Sequence, residues 1–159
     1  MKKIITLLVV LSVGFVNAQA FKGKGDFKVQ VGGHLPEKAT GIHLTADYGV
    51  GENMSVGIAT SYLMGFSGGV KASDVDFGDK IDVRARFNAN IGNVLKIDDK
   101  LDIYPGLSLG LHDFGGHLGA RYFFSDGFGV YTEFGTQLAQ YDSDDKGFFI
   151  ANVGVSFNL

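Results

Sequence analysis

Ile81-Asp82-Val83-Arg84-Ala85-Arg86-Phe87-Asn88-Ala89 alternates without a fault. Ile81, Val83, Ala85, Phe87 and Ala89 are apolar. Asp82, Arg84, Arg86 and Asn88 between them are charged or amide-bearing. Successive side chains of a strand point to opposite faces, so this period of two predicts a strand with one apolar and one polar side. A helical turn of 3.6 residues would scatter the same apolar residues around its circumference.

The pattern recurs along the chain in both directions. It runs over 27–32, 42–48 and 54–62 before this segment, and over 101–111, 117–124, 128–135 and 151–159 after it. No stretch between them has a convincing helical period. Eight strands with connections between them are what an up-and-down barrel needs. Val50-Gly51-Glu52-Asn53 and Ser125-Asp126-Gly127 read as tight turns. Gly33 to Thr40, Met64 to Asp79 and Leu138 to Lys146 read as longer connections. Two connections break the long-short rhythm: Asp113 to Gly115 is short, and Asn90 to Lys100 is long. Pro105 cannot donate a ladder hydrogen bond, so a bulge or a break is expected beside it.

The first eighteen residues form a separate unit. Lys2 and Lys3 precede an apolar run from Ile4 to Val16, and Val16-Asn17-Ala18 ends on a small residue. This is the pattern of a secretory signal peptide, with cleavage expected before Gln19. The run is too short for a spanning helix, which needs roughly 20 apolar residues. Without the leader 141 residues remain, one domain's worth, and the loss of Lys2 and Lys3 takes the formal charge from −3 to −5. A chain of that charge lacks the basic face of a nucleic-acid binder. The absence of cysteine excludes a disulfide scaffold and a zinc–thiolate site.

Alternation by itself does not say which face meets water. A soluble lipocalin-like barrel turns its apolar face inward, whereas a membrane barrel turns it outward. Three features favour the second. Glycines crowd the polar face at positions 57, 106, 110, 119, 129, 135 and 154. They weaken a solvent-facing strand but make room inside a narrow lumen. The polar-face charges also balance, with Lys28, Arg84, Arg86 and Arg121 against Asp47, Asp82, Asp102 and Glu133. Equal numbers suit a confined interior, where an unpaired charge is costly. Finally, Phe27, Tyr48, Phe87, Tyr122, Phe124, Phe128 and Phe157 gather on the apolar face near the tight-turn ends. That is the aromatic girdle expected at a membrane–water interface.

The leader, the eight alternating strands, the stretch from His117 to Tyr131 and the ending Gly154-Val155-Ser156-Phe157-Asn158-Leu159 resemble the small eight-stranded outer-membrane β-barrel proteins of Gram-negative bacteria. The resemblance covers the whole chain after the leader. It implies an all-β, antiparallel, up-and-down transmembrane barrel in the outer membrane. It also implies insertion by the barrel-assembly machinery, which reads the last strand through Val153, Val155, Phe157 and Leu159. The terminal residue here is Leu159, where such proteins usually end on an aromatic.

Little in the sequence points to catalysis. Lipid-modifying barrels need Ser, His and an acid together on the lipid-facing rim, and the strand histidines His43, His112 and His117 all fall on the polar face. His34 is expected in a loop. No metal or cofactor is expected. Asp142-Ser143-Asp144-Asp145-Lys146-Gly147 loosely resembles a calcium loop but lacks its closing bidentate Glu. An eight-stranded barrel is only just wide enough for its side chains to fill. The expected protein is therefore a non-enzymatic monomer with a structural or surface-interaction role and a plugged lumen. A narrow porin-like pore, a lateral-diffusion transporter of small molecules and a soluble lipocalin-like binder are the competing readings.

Overall fold

A computed structural model describes residues 19–68, 72–111, 113–140 and 149–159. The expected leader, His112 and the calcium-like loop lie outside the described residues. The chain forms one closed antiparallel barrel in which each strand pairs with its sequence neighbours. The strands are β1 (Phe27–Pro36), β2 (Ala39–Gly49), β3 (Met54–Phe66), β4 (Ile81–Ala89), β5 (Leu101–Gly110), β6 (Asp113–Ser125), β7 (Phe128–Gln140) and β8 (Phe149–Asn158). β1 closes on β8 in the register Lys28↔Asn158 to Pro36↔Ile150. The Leu159 N–H donates to the Phe27 carbonyl at 2.9 Å, so Leu159 and the start of β1 share one end of the barrel. Leu159 itself lies past the last strand rather than in it.

β4 has the limits that its alternation dictates. Elsewhere the strands run further towards the long-connection end. The expected connection Gly33 to Thr40 shrinks to Glu37 and Lys38, because Gly33 and His34 pair with Ile42 and Gly41. His34 is thus a buried strand residue, not a loop residue. β3 continues to Phe66 and β7 to Gln140. Asp113 to Gly115 opens β6 and is not a turn. Among the described residues, two helices of one turn each also occur in the connections, α1 (Phe77–Lys80) and α2 (Gly92–Leu95), with a 3-10 turn at Ala72–Asp74.

Pro105 produces no bulge against β6, where it faces Leu118 in unbroken register. Its effect falls on the other side. The β4–β5 ladder runs only from Arg84↔Gly110 to Asn88↔Gly106 and stops where Pro105 has no N–H to give. This is the shortest of the eight seams.

The two faces are sorted opposite to a soluble protein. Val153, Ile58 and Leu109 are more than half exposed on the outside, while Lys28, Thr45, Asp47, Asp102 and Arg121 are almost wholly buried within. A lipocalin-like barrel would need an apolar interior. Tyr104, which shares the lumen with the buried Tyr131, is fully buried. It faces Gly119 across the β5–β6 ladder. A Cβ at position 119 would run into the Tyr104 ring and hydroxyl, whose rotation is limited by a hydrogen bond from Gln30 at 3.3 Å. At Gly135 a Cβ would meet nothing closer than 3.5 Å. Overpacking a filled interior costs about 1–3 kcal/mol. Gly119→Ala is therefore expected to lower barrel stability by about that amount, and Gly135→Ala to leave it nearly unchanged. Urea titration of the folded fraction in lipid vesicles checks the contrast.

Candidate functional site

The lumen is held by ion pairs arranged from one end to the other. At the tight-turn end Lys28 Nζ lies 2.7 Å from Asp26. Arg121 contacts Asp102 at 2.8 Å and Asp47 at 3.7 Å, and donates to the Asn90 side-chain oxygen at 2.7 Å. Arg86 bridges Asp47 at 3.2 Å and Glu133 at 2.6 Å. Nearest the other end, Arg84 pairs with Asp82 and makes a two-pronged contact to Asp113 at 2.7 and 2.9 Å. Tyr104 stacks beneath the guanidinium groups, 4.6 Å from Arg121 and 5.9 Å from Arg86.

All eight lumen residues named from the sequence face this interior. Two partners were missed. Asp26 precedes β1, and Asp113 sits where a turn was expected. The equal count of charges consequently does not hold: among the described residues, four cations face six carboxylates. Asp26 and Asp82 each stand two residues from their cation, and that same-face spacing was the available signal. Nothing local announces the Arg84–Asp113 pair, which spans 29 residues.

The tight-turn end is closed by the segment before β1. Ala20 and Phe21 are buried there. The Ala20 N–H donates to the Asp99 carbonyl at 2.7 Å, and the Asn93 side chain of α2 donates to the Phe21 carbonyl at 2.8 Å. Lys28 Nζ lies 5.0 Å from the centre of the Phe123 ring and 5.9 Å from that of Phe21. The opposite end holds an open-mouthed cavity, lined among others by His34, His43, Ser61, His117, Glu133 and Asn152. Among the described residues, no group of three or more metal-type ligands converges.

On the outer face, Phe27 stands opposite Tyr48 in the β1–β2 register. Tyr122, Phe124, Phe128 and Phe157 follow one another at ring separations of 5.5, 6.4 and 5.8 Å. Phe87, on β4, is exposed on the same outer face. A thinner set, Tyr62 with Phe77 and Phe134 with Phe149, lies towards the cavity end.

The fold matches solved membrane barrels. The N-terminal β-barrel domain of Pseudomonas aeruginosa OprF superposes with a TM-score of 0.62 at 11% identity, covering 87% of this chain and all of that one. A barrel from the de novo design of transmembrane β-barrels superposes at 0.61 and 12% identity, covering 87% of this chain and 98% of the other. At such identities the likeness is one of fold. No curated protein matches the chain in sequence. Residues 11–159 match a family of unknown function, DUF6646, across almost the whole chain, and the protein belongs to that family.

Proposed function

We propose that the protein is an integral outer-membrane barrel with a structural or surface-interaction role, without catalysis, whose lumen is closed to ion flow. The observation that carries this reading is the inversion of the two faces. A continuous apolar wall with an aromatic band suits a lipid surround, and in that surround every backbone N–H must be paired, as barrel closure achieves. The outward side chains Val153, Val155 and Phe157 of β8, with Leu159 just beyond, are the features through which the barrel-assembly machinery would recognise the chain. The barrel inserts as a monomer, with outer-membrane lipid as its main partner.

The paired charges and the Ala20–Phe21 plug support a closed lumen over a porin-like one. One observation favours lateral transport as a second reading: the β4–β5 seam beside Pro105 has the shortest ladder in the wall. The cavity that would feed such an opening mixes histidines, charges and hydroxyls with Ala59 and Ile150, so its lining selects neither a purely apolar nor a purely polar cargo. Planar-bilayer recording of the refolded protein tests the main reading. The expected result is no resolvable unitary conductance, together with an unboiled electrophoretic band distinct from the boiled one. Stable channel steps would replace the closed barrel with a pore, and recovery of the protein in a soluble fraction would overturn membrane insertion itself.

A further inference from the structure

The six carboxylates of the described lumen exceed its four cations by two. Uncompensated negative charge is costly in a confined interior and attracts a positive partner. The inner end is filled by Phe21, Phe123 and Lys28, so space for such a partner exists at the outer mouth. There the cavity wall is rich in acceptors. His43 is 6% exposed, and its buried Nδ1 has no hydrogen-bond partner among the described residues. Its ring centre lies 5.7 Å from that of His34. The Asn152 amide nitrogen faces Glu133 at 3.5 Å, which turns its oxygen towards His34 Nδ1 at 2.7 Å. His34 Nδ1 is then the donor, and a neutral His34 ring keeps its lone pair on Nε2. The nearby guanidinium groups are already engaged, Arg84 by Asp82 and Asp113 and Arg86 by Asp47 and Glu133.

We infer that this outer cavity is a binding site for a small primary amine in its ammonium form. An ammonium group brings one positive charge and three N–H donors, which match imidazole lone pairs, the Ser61 hydroxyl and the Glu133 carboxylate. Imidazole nitrogens mixed with the Asp82 and Glu133 carboxylates make a poorer cage for an alkali or alkaline-earth ion, which prefers an all-oxygen shell. Entry is from the long-connection end, because the other end is closed. The site rests on the lumen geometry and not on membrane insertion, so bilayer recordings and binding measurements fail independently.

The test is NMR of the histidine rings in the purified protein in detergent micelles. Ethylammonium chloride is titrated against sodium chloride and against tetramethylammonium chloride, which carries the charge without N–H donors. Saturable shifts of the His43 and His34 ring signals are expected with ethylammonium alone. His43→Phe should weaken ethylammonium binding by about tenfold, the usual effect of losing one charge-assisted hydrogen bond. His43→Gln, which keeps an acceptor, should recover part of it, and the unboiled electrophoretic band shows whether each variant is folded. Equal shifts with all three salts, no saturation with ethylammonium, or unchanged affinity in folded His43→Phe would overturn the site.

Discussion

Arg86→Leu is expected to lower the unfolding free energy of the barrel by about 3–5 kcal/mol, the cost of breaking a buried ion pair from one side. Arg86 is 4% exposed and sits between Asp47 and Glu133 with Tyr104 beneath it. Its removal harms the two carboxylates unequally. Asp47 keeps Arg121 at 3.7 Å, whereas Glu133 retains only the Asn152 amide at 3.5 Å. The loss thus comes mainly from stranding Glu133. Glu133→Ala leaves Arg86 with Asp47 and should cost about 3 kcal/mol, at the lower end of the range. The double replacement Arg86→Leu with Glu133→Leu removes both charges together. It should fall well short of the sum of the single changes, because the two residues share one interaction. Urea titration in lipid vesicles, following the folded fraction by unboiled electrophoretic mobility, measures all three. Single-variant losses below about 1 kcal/mol, the scale of solvated pairs, would mean that water reaches the lumen centre and that the charges do not seal it.

The contrast between Arg86 and Arg84 shows what a sequence of this kind reveals. That both arginines share one strand face follows from the alternation of Ile81 to Ala89, and so does the pairing of Arg84 with Asp82 two residues away. The strand limits there are legible because no glycine or proline interrupts the pattern. At Gly32-Gly33 the pattern lapses, and the strand nonetheless continues, because backbone pairing with both β2 and β8 holds it without help from side chains. His34 was misplaced for the same reason. Asp113 was hidden differently. Its role depends on the stagger of β4 against β5 and β6, which is set by closure of the whole barrel and not by any neighbouring residue. The plug at the tight-turn end also depends on closure, since Ala20 and Phe21 are buried only once α2 and the barrel wall surround them. Faces are therefore local information, while end-to-end register and what fills the two ends are global.

The outer face carries the second large expectation. Val153 lies on β8 midway between Phe157 of one aromatic set and Phe149 of the other, and it is 53% exposed. With lipid around the barrel, that position is near the bilayer midplane, and Val153→Arg should cost about 2–4 kcal/mol. Val83 lies between Phe87 and Ile81, which pairs with Tyr62 of the other set, and it should respond similarly. Ser61 is adjacent in the wall but points into the outer cavity, where an arginine head finds open space and carboxylates. Ser61→Arg should therefore cost less than either. Vesicle titrations of the three variants separate the two solvents. If all three lose the same amount, the penalty reflects strand disruption and not desolvation of the guanidinium. If Val153→Arg is harmless while the protein stays soluble without detergent, the outer face meets water, and its exposed valines and leucines must be covered by something other than lipid. The ranking Val153 ≈ Val83 > Ser61 is the one in which depth in lipid, and not position along the strand, decides the cost of a charge.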